Sequence, residues 1–295
     1  MRKECKVMKT GIGFPPGGYY ENLWGEDVFK KLKSFGYSAL DFGILNTETV
    51  FYTDKEKAEE LITDYKKRAA EAGIEFSQVH GPWLWPAVND ATVEGRAERM
   101  EKMKESIRLT ALLGCKNWVI HPIFACGWED AGTEKVEETW KINLEFFREL
   151  LKTAKEYDVT ICLENMPMIN FSIATPEAIL RFVKEINDEH FKICLDTGHL
   201  NVFPDLPVYE SVKALGKELR VLHVHDNKFR IDMHLPPFYG SFKWTEFCQA
   251  LKEIEFDGVI SLETAPSSGH NNELFEEMMV MFHKMAQQIA DEIEG

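Results

Sequence analysis

A chain of 295 residues with 34 basic and 49 acidic side chains carries a formal charge of −15 at pH 7. With 44% hydrophobic and 28% charged residues it has the balance of a folded protein that buries a large core, which excludes a disordered chain. A pI near 5.1 is wrong for gripping phosphate backbones, and no run approaches the ~18 apolar residues of a membrane span, so neither nucleic acid nor membrane is an expected partner.

The opening residues Met1-Arg2-Lys3-Glu4-Cys5-Lys6-Val7 lack the apolar stretch of a secretory signal. Six cysteines (Cys5, Cys115, Cys126, Cys162, Cys194, Cys248) include no Cys-x-x-Cys pair, and Cys162 and Cys194 sit inside apolar runs as small hydrophobes. A cytoplasmic protein without disulfides is expected.

Along the chain, a short apolar run, a loop and a longer stretch of helical spacing recur. The apolar runs are 10–14, 39–44, 76–79, 118–120, 160–163, 192–195, 220–224 and 258–262. Most are continuously apolar, as in parallel strands covered on both faces. Between them, Ala58, Leu61, Ile62, Tyr65 and Ala69 mark one helical face, and Trp140, Leu144, Phe147, Leu150, Leu151 and Ala154 another. A final stripe of Leu274, Met278, Met281, Phe282, Met285 and Ile289 reads as core packing. Gly36, Gly73 and Gly114 fall where helices should end. Eight such units without a composition break predict an α/β fold, a (β/α)₈ TIM barrel forming one domain over 1–295. An open doubly wound sheet is the alternative, but its glycine-rich loop is missing.

Barrel active sites form at the C-terminal ends of the strands. Strand three ends at His80, four at His121, five at Glu164-Asn165, and six at Asp196-Thr197-Gly198-His199. Strand seven runs into His223-Val224-His225-Asp226-Asn227, and strand eight ends at Glu263-Thr264. One strand-end histidine is usually a hydrogen-bonded structural residue, and one acid usually a helix cap. Several carboxylates converging on one rim repel one another unless a cation neutralises them. Mixed carboxylate and imidazole donors suit Mn, Mg, Co or Zn, and the absence of a thiolate-rich set excludes a structural zinc finger.

Asp232 and His234, two apart, share a face of an extended segment and can grip one ion, or else belong to a solvated loop. Asp196 and His199 can also share a site. His190, His270 and His283 receive no role. Phe14, Trp83, Trp85, Trp128 and Phe238, near strand ends, are candidates for an aromatic wall against which a substrate stacks, with core packing or a lid as the competing role. Lys228 and Arg230 are candidates for holding a phosphate or carboxylate, against a solvated loop.

These residues in this order resemble the xylose isomerase-like barrels, a superfamily that also holds the endonuclease IV enzymes. The resemblance runs from Gly11 to Glu263 and rests on Leu163-Glu164-Asn165, Asp196-Thr197-Gly198-His199, His223-Val224-His225-Asp226-Asn227, Asp232-Met233-His234-Leu235-Pro236 and Glu263-Thr264. The ketose 3-epimerases of that superfamily hold one divalent ion by a Glu, an Asp, a His and a Glu. The resemblance matches these to Glu164, Asp196, either His223 or His225, and Glu263, with Asp232 and His234 as additional metal candidates. It makes Glu164 and Glu263 the catalytic carboxylates, moving protons on opposite faces of the substrate. His80, His121, His199, Trp83, Lys228 and Arg230 are the expected substrate contacts. The endonuclease IV branch binds three zinc ions through nine ligands, at positions resembling His80, His121, Glu164, Asp196, His199, His223, Asp232, His234 and Glu263. Asn170 stands where the epimerases carry a second substrate-binding Glu, which argues against free ketohexoses as substrate.

The expected activity is a metal-dependent isomerase or epimerase of a sugar, sugar phosphate or related polyol carbonyl compound, working through a metal-stabilised enediolate. A lyase or dehydratase on a keto-inositol or keto-glycoside comes second, and a zinc nuclease third because the acidic charge opposes it. A non-catalytic sugar-binding barrel is the rival from another class. The resemblance also implies dimers or tetramers.

Overall fold

The computed structural model describes residues 7–83, 90–228, 230–267 and 271–295. Its strands in chain order are β1 (Lys9–Phe14), β2 (Ala39–Gly43), β3 (Glu75–His80), β4 (Asn117–Ile120), β5 (Thr160–Glu164), β6 (Phe191–Asp196) and β7 (Leu219–His223). A hairpin of β8 (Asp226–Lys228) and β9 (Ile231–Leu235) follows, then β10 (Val259–Leu262). Eight of them pair in parallel in the order β10-β1-β2-β3-β4-β5-β6-β7, which is the sheet of a TIM barrel. The ring is drawn together above the end of β7: the Val224 amide donates to the Ser261 carbonyl at 2.8 Å, and the Glu263 amide donates to the Val224 carbonyl at 3.1 Å.

One outer helix follows each barrel strand: α1 (Val28–Ser34), α2 (Lys55–Ala72), α3 (Val93–Leu113), α4 (Val136–Glu156), α5 (Pro176–Ile186), α6 (Val208–Leu215), α7 (Trp244–Glu253) and α8 (Asn272–Glu294). Their ends have local causes. Asp54, Thr92 and Thr175 cap α2, α3 and α5 by accepting from a backbone amide three residues on. Gly73 and Gly114 end α2 and α3 in the left-handed conformation, at φ 70° and 88°, as their sequence positions predict. No helix of the described residues is long and apolar enough to cross a membrane.

Two expectations need correction. The apolar stripe of α8 is rotated: Phe275, Met279, Phe282, Ala286, Ile289 and Ile293 are buried, while Leu274 is 42% exposed. Both registers satisfy helical spacing, and the choice is made by Phe275, whose ring meets Tyr19 at 5.0 Å and Trp24 at 5.9 Å. The reading of a solvated loop is overturned too: Asp226–Lys228 and Ile231–Leu235 pair as the antiparallel strands of a hairpin. Asp226 anchors it: its carboxylate accepts from the amides of Asn227, Gly240 and Phe242 and from Trp244 Nε1, at 2.8–3.0 Å.

Alternate residues of each strand face the barrel axis. The lower interior layer is small and apolar, built by Val119, Cys162, Cys194 and Val221. Two residues further along the same strands come His121, Glu164, Asp196 and His223. The register places Asp196 of β6 directly beside His223 of β7. An apolar floor therefore lies beneath a layer of carboxylate and imidazole side chains.

Candidate metal centre

Glu164 stands at the centre of this layer, fully buried. Its Oε1 lies 2.9 Å from His223 Nδ1, and its Oε2 lies 3.2 Å from His121 Nε2 and 3.5 Å from His80 Nε2. Glu263, carried past the end of β10, brings Oε2 to 3.3 Å from the same His223 Nδ1. Glu164, Asp196, His223 and Glu263 each offer one donor atom, all within 4.8 Å of one another. His80 and His121 form a further such group with Glu164.

Asp196 ends β6 and caps the turn Thr197–Asn201, its Oδ1 accepting from the His199 amide at 2.6 Å. Its Oδ2 lies 2.9 Å from His225 Nε2. Asn165 fixes this junction, accepting from the Asp196 amide at 2.7 Å and donating to the Asp196 carbonyl at 3.0 Å. The hairpin adds Asp232, with Oδ2 3.3 Å from both His199 Nε2 and His234 Nε2. His234 stacks on His225 with ring centroids 4.1 Å apart. His199, His225, Asp232 and His234 thus make a second compact donor group. Asp232 and His234 meet as their two-residue spacing predicts.

The two histidines of strand seven part company. His223 belongs to β7 and faces Glu164 and Glu263. The strand then ends, and the His225 backbone turns to Thr197, whose Oγ1 accepts from its amide at 3.0 Å and donates to its carbonyl at 2.6 Å. His225 thereby joins the second group.

Burial opposes every charge here, so shifted titrations report the partners that overcome it. Burial would raise Glu164, yet His223, His121 and His80 hold it well below the usual carboxylate range. Against their own burial, Asp196 is lowered by His199 and His225, and Asp232 by His199 and His234. Burial likewise works against a charged His199, but Asp196 and Asp232 lift it to about 10. His234 also reaches about 10 against its burial, through Asp232 and Glu263. His121 goes the other way, down to about 4, because burial outweighs Glu164. Glu263 is the exception among the acids: burial, with repulsion from Glu164 and Asp196, outweighs His223 and pushes it up to about 7. Beneath them Cys194 is kept a neutral thiol, mainly by burial, and suits the floor rather than ligation.

A cavity of about 390 Å³ opens beside this centre. Asp41, His80 and Glu263 line its inner side, and Phe14, Tyr19 and Leu45 form an apolar wall. Of the aromatic candidates, Phe14 lines the cavity, and Trp83 sits 5.5 Å from the His121 ring. Trp128 instead leans on Phe124 at 59% exposure, Phe238 packs on Trp244, and Trp85 lies outside the described residues. Lys228 is exposed, and Arg230 lines a different cavity of about 580 Å³ with Asn201 and Lys243. Neither cation lines the cavity beside the carboxylates. Sequence reasoning missed Tyr19 and Asp41; Asp41 was legible only as an acid interrupting the apolar run 39–44.

A family model described as the xylose isomerase-like TIM barrel matches residues 29–285. An uncharacterised protein of Methanocaldococcus jannaschii is 30% identical over 189 residues, 63% of this chain and 63% of its own length. A D-psicose 3-epimerase of Enterocloster bolteae is 26% identical over 268 residues, 89% of this chain and 84% of that one. The crystal structure of a D-tagatose 3-epimerase-like protein superposes with a TM-score of 0.72 at 25% identity, covering 97% of this chain and 99% of that one.

Proposed function

The chain belongs to the xylose isomerase-like TIM barrel family, and from that premise we propose that it is a divalent-metal-dependent isomerase or epimerase of a sugar or related polyol carbonyl compound. Similarity to a D-psicose 3-epimerase and to a D-tagatose 3-epimerase-like protein supports the reaction class. One observation carries the reading: two glutamates of opposite protonation tendency, Glu164 and Glu263, approach one histidine nitrogen at 2.9 and 3.3 Å beside a cavity.

The donor set fits a divalent ion. Oε2 of Glu164 and Oε2 of Glu263 are buried and make no well-formed hydrogen bond, the nearest imidazole nitrogens standing 3.2–3.5 Å away, although carboxylate lone pairs are rarely left so. Glu164, Asp196, His223 and Glu263 are the residues we assign to hold it, and their oxygen and imidazole donors suit Mn, Co, Mg or Zn. When bound, the ion supplies a fixed positive charge that acidifies a C–H beside a substrate carbonyl.

The protein's own groups supply the rest. Glu164 stays ionised and accepts the substrate proton, with His121 and His80 beside its second oxygen at 3.2 and 3.5 Å. Glu263, across His223 Nδ1 from Glu164, returns a proton from its own side; without an ion its carboxyl is pushed up to about 7, mainly by burial. Phe14 and Tyr19 give the apolar face of a sugar a wall to rest on.

A second reading has its own observation, the separate group of His199, His225, Asp232 and His234, which offers donors for a further ion. A zinc nuclease with several ions would use such an array, while the formal charge of −15 opposes binding to DNA. Metal content per chain, measured on untagged protein purified without chelator, separates the two. About one ion, lost in Glu164→Ala and Glu263→Ala, supports the isomerase. A panel of ketoses in D₂O should then show solvent deuterium entering one carbon, with turnover down roughly 10²–10⁴-fold in Glu164→Gln and Glu263→Gln. About three zinc ions with cleavage of an abasic duplex would replace this reading, and a chain that takes up no metal would sink it.

A further inference from the structure

Asp41 lies in the middle of β2, 5% exposed, and its role is not that of a strand-end ligand. Its Oδ2 is 2.8 Å from His223 Nε2. The same oxygen accepts from Gln78 Nε2 at 3.0 Å, and Gln78 also donates to the Leu222 carbonyl at 3.2 Å. A side chain of β3 anchored on the backbone of β7 therefore holds the carboxylate in place. Asp41 in turn holds one nitrogen of His223, while the other nitrogen looks at Glu164 and Glu263.

The two nitrogens of an imidazole are not equivalent, and a neutral ring keeps its single proton where an acceptor stabilises it. A carboxylate at Nε2 draws the proton there and leaves the Nδ1 lone pair free for an ion. At Nδ1 the Glu164 carboxylate, 2.9 Å away, competes for the same proton, and that competition ends where an ion takes that side of the ring. His80 stacks on His223 with centroids 5.4 Å apart and planes within 8°, which limits tilting but is indifferent to the tautomer. Nor is the pair an accident of an exposed surface, because His223 is fully buried and an unpaired Nε2–H there would cost stability.

We propose that Asp41 is the positioning residue of the metal centre: through Oδ2 it fixes His223 as the Nε2–H tautomer and aims Nδ1 at an ion shared with Glu164, Asp196 and Glu263. The inference rests on the metal-dependent reading above and adds a residue from a strand that offers no ligand of its own. It also explains why His223, rather than His225, is equipped as the ligand of that ion. His225 has no such outside carboxylate: its Nε2 lies 2.9 Å from Asp196, itself one of the assigned ligands, and its Nδ1 is buried without a partner.

The test is direct titration of metal-free protein with Co²⁺, read by visible absorption and calorimetry, in wild type, Asp41→Asn and Gln78→Met. Asp41→Asn should bind Co²⁺ roughly 10–100-fold more weakly, with an altered absorption envelope. Gln78→Met keeps the carboxylate but loosens it, and should show a smaller loss in the same direction. In zinc-loaded protein labelled with ¹⁵N-histidine, wild-type His223 should carry its proton on Nε2, and that signal should shift or broaden in Asp41→Asn. A purely structural role would lower the melting temperature of the metal-free variants and leave the affinity, spectrum and proton signal of folded protein unchanged. Wild-type Co²⁺ affinity and spectrum in both folded variants would overturn the inference while leaving the metal reading intact. If Asp41→Asn fails to fold, unchanged affinity in Gln78→Met overturns it alone. A wild-type chain that binds neither Co²⁺ nor Zn²⁺ would overturn the metal reading and this inference together.

Discussion

Gly198→Ala should damage the second donor group. At this position glycine is demanded by space. A Cβ there would stand 1.8 Å from His225 Cε1, 2.3 Å from Nδ1 and 2.6 Å from Nε2. Contacting carbons need about 3.5 Å, so the ring has to withdraw by roughly 1.5–2 Å. A shift of that size breaks the 2.9 Å contact of His225 with Asp196 and the 4.1 Å stack on His234. His225 is fully buried, so the ring displaces packed neighbours as it moves, at a cost of about 1–3 kcal/mol. In a domain this large, each kcal/mol lowers the melting temperature by about 2–4 °C, giving a fall of roughly 2–12 °C for metal-free protein. Any ion held by His199, His225, Asp232 and His234 should be lost, whereas Glu164, His223 and Glu263, which Gly198 does not touch, should keep theirs. Differential scanning calorimetry with metal analysis checks both halves. Wild-type melting together with wild-type metal content in Gly198→Ala would refute the steric argument.

Metal-free protein should lose stability as pH rises. His199 and His234 have folded values of about 10, above their ordinary 6.5, so their contribution is whole below pH 6.5 and lost as pH climbs through 10. Glu263, raised to about 7, acts with the same sign, its share being complete only below about 4.5. Melting temperatures of chelated protein should therefore fall between pH 6.5 and 9.5, more steeply than those of loaded protein, whose ligating histidines have already given up the proton that a metal displaces; a level curve for the chelated form would contradict this. Asp226→Ala should cost on the order of 3 kcal/mol in urea unfolding, since three amides and an indole N–H lose one charged acceptor, and Asp232 and His234 should come away with the hairpin; full stability with unchanged metal content would count against that anchor.

The barrel and its layer of converging carboxylates and imidazoles were legible because two simple periods coincide. Continuous apolar runs mark strands covered on both faces, and the inward residue just after each run is where a barrel places its chemistry. His80, His121, Glu164, Asp196, His223 and Glu263 were all found by that rule. It fails where a strand stops. His223 and His225 are two apart and would share a face had β7 continued, but Val224 leaves the strand to bridge toward Leu262 and His225 turns to Thr197. The choice between them was therefore not written in their spacing. Asp41 escaped for the opposite reason, because it lies inside its strand rather than at the end. Its neighbour Leu40 marks an irregular step in the pairing of β2 with β3, a shift in register that no pattern of apolar residues records. The hairpin does carry a signal in the sequence, for Phe229, Ile231, Met233 and Leu235 alternate with Lys228, Arg230, Asp232 and His234; its anchor carries none, since buried Asp226 holds it from the side. Such a segment can change its ligands without disturbing the apolar runs that build the barrel. The barrel can therefore hold Glu164, Asp196, His223 and Glu263 in place while the hairpin and the β1–β2 rim, which build the second donor group and the cavity wall, change in sequence.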